Sequence, residues 1–355
     1  MLRFLRNILF FAAAMLLSLW LLELYARRQE DPIKIKQEYI DRHADSITTI
    51  FIGESQMYWA IDPALWGNGH EAVNLCHNGL DARMQCLILL NAVNRLPSLQ
   101  RVFIGLDYCV LFDPLTGENG PGRYTMSPMR YFRFDTIPDF VREYFNPSSP
   151  RWYEIANREQ FDSKVVPWRR PDLAECDSAG HAQIYPRSKL RHKVGGIIKP
   201  DPYIFAYTFD YLDLNLKFFH SMLHHCKEHN LEIIIVIPPL FEEFFYYYPR
   251  IKMEKIYEMA DSFHQEYGAR VMDYCKDPRI SSDLFIDVIH MASDTGSRVF
   301  TRILQEDYLG GDSLPLNPPV TLPGNYPVPP PDYTYLKYIY TKNYPDLLVG
   351  SNNNH

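Results

Sequence analysis

No Cys-x-x-Cys pair occurs among the six cysteines, Cys76, Cys86, Cys109, Cys176, Cys226 and Cys275. That absence argues against a zinc knuckle or a thioredoxin-type redox motif. Their neighbours are mostly apolar, so buried free thiols are expected, with one disulfide in an oxidising compartment left open. Positive charge is short as well: 36 Lys and Arg against 43 Asp and Glu leave a net charge of −7. No overall basic field is present to hold nucleic acid, and a polyanion would need a local basic patch. Glycine is scarce, 17 residues against 27 prolines, while 46% of the chain is apolar and 22% charged. These proportions exclude a disordered or collagen-like chain. What the chain has in abundance is aromatic side chains, 25 Tyr, 21 Phe and 5 Trp, which together with the prolines point to long structured loops.

Both ends stand apart from the body. Residues 1–28 carry Arg3 and Arg6, a nearly pure apolar run from Ile8 to Leu22, then Glu23 and Arg27-Arg28. The 19 positions from Ile8 to Ala26 are just enough for a helix at about 1.5 Å per residue to cross a hydrocarbon layer of about 30 Å. No clean small-x-small cleavage site follows, so an uncleaved N-terminal anchor is favoured over a cleaved signal. The arginines flanking the run are balanced, and the usual outcome for so short a tail is an extracytoplasmic body. Residues 310–355, with Pro315, Pro318, Pro319, Pro323, Pro327, the run Pro329-Pro330-Pro331 and several tyrosines, lack any helical or strand period and read as an extended arm.

Between them the body alternates strand and helix. Ile47 to Ile52, Ala72 to Leu75, Arg101 to Leu106, Leu231 to Ile237 and Ala269 to Asp273 read as strands, the fourth buried on both faces. Asp81 is an N-cap candidate for a helix with Met84, Leu87, Ile88 and Val93 inward, stopped by Pro97. A second helix sets Leu212, Leu216, Phe219, Leu223 and Cys226 on one face, and a third, from about Lys252, ends at Gly268. The last helix covers Val299 to Leu309. This alternation predicts an α/β domain with a parallel sheet covered on both faces. It is interrupted by an insertion at residues 113–207, dividing the domain into 29–112 and 208–309. From Arg151 to Lys199 the insertion holds ten Lys and Arg against six Asp and Glu, and it is expected over the carboxyl ends of the strands, where such sheets bind ligands.

Two short motifs carry chemistry. Gly53-Glu54-Ser55 follows the first strand directly, which would place a serine hydroxyl at the sheet edge beside free backbone N–H groups able to stabilise an oxyanion. Asp287-Val288-Ile289-His290 spaces a carboxylate and an imidazole so that the first can orient the second as a base. Taken singly, each also fits a plain helix start or a surface turn. His220, His224, His225 and His229 offer i, i+4 pairs, but without a carboxylate on the same face they read as a polar helix surface rather than a metal site. The run Phe241 to Tyr248 fits either an aromatic platform for sugars or loop packing.

In combination and in chain order the motifs resemble the SGNH, or GDSL, esterase and acyltransferase superfamily. Val73-Asn74-Leu75-Cys76-His77-Asn78-Gly79 looks like its second block and Gly105-Leu106-Asp107 falls at its third. The layout of anchor then hydrolase, with Ser55 to Pro63 as first block, is similar to the D-alanyl transfer and exopolysaccharide O-acetylation proteins. The resemblance implies a three-layer α/β/α fold, Ser55 as nucleophile, His290 as base, Asp287 as its orienting residue and Gly79 as an oxyanion donor. Glu54 stands where an Asp is usual. Asp107 replaces the family's oxyanion asparagine, and a carboxylate there must be protonated, turned away or otherwise engaged. Arg169 and Arg170 are candidates for binding the acceptor. The implied function is a membrane-tethered serine acyltransferase or esterase on an extracytoplasmic glycan or glycopolymer, beside a membrane-bound acyl-transfer partner. No cofactor, metal or nucleic acid is implied. The competing reading is a non-catalytic glycan-binding or scaffold protein on a decayed SGNH fold.

Overall fold

The computed structural model describes residues 2–28, 32–67, 69–113, 176–182, 209–241, 244, 248–286 and 289–311. The long apolar helix α1 (Leu2–Arg28) is followed by α2 (Pro32–His43). The segment Arg3–Leu21 of α1 is long and apolar enough to cross a membrane and is not buried against the body. Five strands then form one sheet: β1 (Thr49–Ile52), β2 (Ala72–Asn74), β3 (Arg101–Gly105), β4 (Glu232–Ile237) and β5 (Arg270–Asp273). Their order is β2-β1-β3-β4-β5 and every pairing is parallel, for example Ile50 opposite Val102 and Ile104 opposite Ile235. The α/β class and the five strands thus agree with the hydrophobic pattern, each strand being one or two residues shorter than its apolar run. Ile233 to Ile237 are buried in β4, which lies between two neighbours, as its unbroken apolar run requires.

The helices follow from the same chain direction. Steps from β2 to β3, β3 to β4 and β4 to β5 all move one way across the sheet. Right-handed crossovers therefore put α4 (Ala82–Arg95), α5 (Leu212–Glu228) and α6 (Arg250–Tyr267) on one face, where α5 packs on α4 and α6. The step from β1 to β2 runs the other way and puts α3 (Ser55–Ala60) on the opposite face, packed against α7 (Gly296–Gly310). Local signals set several of the ends. Asp81 accepts a hydrogen bond from Met84 N at 2.8 Å, capping α4, and Gly268 closes α6 in the left-handed region at φ 69°.

Helix α2 does not stand out in the sequence, because its inward set includes a lysine. Lys36, Tyr39 and Ile40 are buried, with the Lys36 ammonium bonded to the Cys76 carbonyl and 4.3 Å from the Tyr58 ring centroid. All six cysteines are free thiols, five of them buried. Of the insertion, residues 176–182 form a tight turn closed by the Cys176 to Ala182 bridge, and Ala179 accepts a hydrogen bond from Asn74 N at 2.9 Å at the end of the edge strand β2. The rest of the insertion, including Arg169 and Arg170, lies outside the described residues, as do the tail beyond Gly311 and Asp287.

Candidate active site

The order 2-1-3-4-5 has its switch point between β1 and β3, where connections leave in opposite directions and open a crevice at the strands' carboxyl ends. Ser55 stands at that point. β1 ends at Ile52, Glu54 is extended at the N-cap position, and Ser55 is the first residue of α3, with 9% of its surface exposed. Such close seating of α3 on the sheet depends on two glycines. A Cβ on Gly53 would come within 2.9 Å of the Met57 side chain and one on Gly105 within 2.5 Å, so neither strand end tolerates a side chain beneath the helix.

Loops from β2 and β3 converge on the same place. After β2 the chain keeps to the line of β1, with Leu75 N bonded to Phe51 O and His77 N to Gly53 O. Asn74 Nδ2 holds the Tyr58 and Ile61 carbonyls and its Oδ1 accepts from Cys76 N, fixing the loop to the C-terminal half of α3. Asn78 accepts from Trp59 Nε1 at 2.9 Å. Gly79 has φ 66°, and its N–H faces the Glu54 carboxyl. His77, fully enclosed, is pushed down to about 4 by burial and by the Lys36 charge, so its ring is neutral at pH 7.

Asp107 resolves part of what the resemblance left open. Its side chain is 1% exposed, and Oδ1 accepts from Val110 N at 2.9 Å, Cys109 N at 3.2 Å and the Cys109 thiol at 3.4 Å. Oδ2 is buried without a hydrogen-bond partner among the described residues. Burial raises the Asp107 carboxyl above the usual carboxylate range. Glu54, whose Oε2 accepts from the Cys109 thiol at 2.7 Å, is raised further by burial and by the charges of Asp107 and Asp113. Two carboxyls enclosed this closely retain protons that exposed ones would lose, and the Cys109 thiol is likewise pushed up, by burial first and the two acids next.

His290 reaches α3 from the far end of the chain. Phe285 and Met291 form an antiparallel bridge, and Ile286 N donates to His290 O at 2.9 Å, which pairs the chain before Asp287 with the chain at His290. Gln56 Nε2 donates to Ile289 O at 3.3 Å and to Pro239 O at 3.4 Å, tying the His290 loop to the residue after Ser55. The His290 ring stands edge-on to Trp59, one turn along α3 from Ser55, at 6.3 Å between centroids. The structure thus brings the Ser55 helix and the His290 loop into contact, with no hydrogen bond between the two side chains among the described residues. Apo active sites commonly hold such pairs at longer range than the Michaelis complex does.

One open alternative is narrowed and one expectation needs correction. Of the aromatic run, Phe241, Phe244 and Tyr248 are buried: Tyr248 OH donates to Tyr108 O, and Phe244 packs 4.9 Å from Tyr108. Phe241 packs on Phe285 instead, so these three rings are core and offer no sugar platform. The α5 histidines do have a carboxylate on their face, because Glu228 lies 3.5 Å from His224 Nδ1 and 4.0 Å from His225 Nδ1. That pairing arises from i, i+4 and i, i+3 spacing along one helix. Lys36 and Cys109 carry no site motif in the sequence, and Glu54 and His77 stand there only as motif positions. Only the position of Glu54 beside Ser55 and of Cys109 two residues after Asp107 hinted at a role.

Comparison with known proteins adds little. Residues 182–307 match a family model described as "Protein of unknown function (DUF1574)", a span that takes in β4, β5 and His290 but not Ser55. No curated protein matches the chain. A solved structure from Streptococcus pneumonia described as a candidate platelet activating factor is similar at 12% identity and a TM-score of 0.39, covering 84% of this chain and 98% of that one. The match is too loose for anything about the site to be transferred.

Proposed function

We propose that this chain is a serine acyltransferase or esterase of the SGNH type, held to a membrane by residues 1–28 and acting on an extracytoplasmic glycan or glycopolymer. The observation that carries the reading is the position of Ser55: first residue of α3, at the switch point of the sheet, with the Gly79 and Asp107 loops beside it and the His290 loop tied to the next residue. His290 takes the Ser55 Oγ proton as the oxygen attacks the acyl carbonyl. The tetrahedral oxyanion collapses to a Ser55 ester, expelling the donor's leaving group, which takes the proton from His290. An acceptor hydroxyl, deprotonated by His290, then attacks the ester and restores Ser55. Asp287 orients the imidazole, while Arg169 and Arg170, in the basic insertion 113–207, hold the acceptor polymer.

Asp107 fits this scheme in its acid form. Burial favours the acid form of the Asp107 carboxyl, and an acid at this position can donate a proton where an asparagine amide would. The acid pair of half-buried Glu54 and buried Asp107 also favours a second reading, in which the fold has lost catalysis and binds glycan as a scaffold. A fluorophosphonate probe separates the two. Covalent labelling of the membrane-extracted protein, abolished by Ser55→Ala, supports the enzyme; an unlabelled native protein supports the scaffold.

A further inference from the structure

A second constellation lies under the 176–182 turn, where Asp62, Asp177 and His181 bring one ligand atom each within 4.8 Å of one another. Their hydrogen bonds fix what the histidine can do. Ser297 Oγ is 2.7 Å from the Ser293 carbonyl, which only accepts, so the Ser297 proton is committed there. His181 Nε2, 3.0 Å from the same Oγ, must therefore donate to it. The neutral tautomer consequently turns a lone pair at Nδ1 toward Asp62 Oδ1 at 3.7 Å and Asp177 Oδ2 at 4.0 Å.

Three acceptor atoms facing one another in a nearly closed space form a setting that favours a cation. His181 and Asp62 are both more than nine-tenths buried, whereas Asp177 is partly exposed and gives a way in. A proton on Nδ1 would supply the charge but not the bonds, since both gaps exceed hydrogen-bond length. The remaining contacts leave one coordinating oxygen on each acid. Asp177 Oδ1 accepts from His181 N at 2.9 Å, and Asp62 Oδ2 faces Arg298 Nε at 3.8 Å. Asp62 Oδ1 also accepts from Ala64 N at 3.1 Å, which leaves it one lone pair.

We propose that Asp62 Oδ1, Asp177 Oδ2 and His181 Nδ1 bind a divalent transition-metal ion, with water completing its shell. Tetrahedral bonds of about 2.0–2.2 Å separate ligand atoms by about 3.4 Å, a modest contraction from the spacing present. The bond from Nε2 to Ser297, backed by the Ser293 carbonyl, is the outer contact that orients a ligating imidazole. Such an ion would pin the 176–182 turn, and with it the basic insertion, to the start of α7 and the end of α3.

The test uses the full chain in detergent, stripped with EDTA and titrated with Zn²⁺ and separately with Mn²⁺. One equivalent should bind, raise the melting temperature by several degrees and give a nitrogen-plus-oxygen shell in X-ray absorption of the Zn²⁺ form. Asp62→Asn, Asp177→Asn and His181→Gln should each abolish binding, Ser297→Ala should weaken it 10- to 100-fold, and His224→Gln on α5 should leave it unchanged. Failure of the native protein to bind either ion, an all-oxygen shell, or binding lost with His224→Gln and kept in Asp177→Asn would overturn the proposal. The absorption measurement needs no variant, so misfolding of one does not rescue it.

Discussion

Ser55 and Ser297 each belong to a group that also contains a histidine and an aspartate, and it is the second group that has the shorter contacts. Ser297 Oγ lies 3.0 Å from His181 Nε2, and the same ring faces Asp62. Ser55 has only a neighbouring loop that carries His290. Yet Ser297 is fully buried and its proton points to a carbonyl, so no substrate reaches it and no base can remove that proton. Ser55 is on a strand-to-helix joint at the mouth of the sheet. What separates a nucleophile from a fixed outer contact is where the hydroxyl proton is already directed and whether a carbonyl carbon can approach.

The sharpest way to break this contrast is to remove each serine. Ser55→Ala and His290→Ala should each lower acyl transfer by about three decades or more, with little further loss in the double variant, whereas Ser297→Ala should stay within about threefold of the native rate. Comparable losses from Ser55→Ala and Ser297→Ala in steady-state assays would put the chemistry in the wrong group.

His77 distinguishes the two regions by acid sensitivity. Its folded value of about 4 lies below an unfolded value near 6.5. The native state therefore prefers the neutral ring. That preference contributes fully above about pH 6.5 and is lost as pH falls toward 4, by about 3 kcal/mol in all. Chemical denaturation across this window should show the decline, and His77→Gln should flatten it.

Asp107 tests the acid-form reading of the mouth. Asp107→Ala should lower turnover about 100-fold through loss of an oxyanion donor. Asp107→Asn should keep it and extend activity to higher pH, because the native carboxyl surrenders its proton as pH rises through its raised value. A pH–rate profile that is the same for the Asn variant and the native protein would take Asp107 out of the oxyanion site.

On the buried side, Gly180 has φ 93°, and a Cβ there would fall 2.2 Å from the Asn74 carbonyl. Gly180→Ala should cost about 2 kcal/mol in thermal or chemical unfolding and loosen the turn over β2. The smallest effect is expected from a helix cap. Asp81→Ala removes the α4 cap and should cost about 1 kcal/mol by the same measurement.

Features with a local cause could be read from the chain: the cap at Asp81, the left-handed stop at Gly268, the buried run of β4 and the joint at Ser55. Each depends on a few adjacent residues. Helix α2 was illegible because Lys36 fills an inward position that a hydrophobic pattern reads as outward, and its carbonyl partner sits on another element. The aromatic run after β4 is ambiguous for a related reason: composition reports that rings are present, whereas Tyr108, against Phe244 and Tyr248, and Phe285, against Phe241, decide that three of them are core. Pairing of Asp62 with His181, and of Glu54 with Cys109, depends on loops that come from opposite ends of long connections. No spacing rule reaches that far.

Helix α2 bears on how far the protein can range. It is seated in the body through Lys36, Tyr39 and Ile40, and Arg95 of α4 bonds to its Gln37 and Asp41 side chains. Only residues 29–31 separate it from α1, and three residues of fully stretched chain span about 10 Å. Were α1 embedded in a bilayer, as proposed, the body would be on a very short leash. On the proposed glycopolymer its working radius would end within the layer of polymer nearest the lipid, and growing chains would have to be met at their membrane-proximal segments.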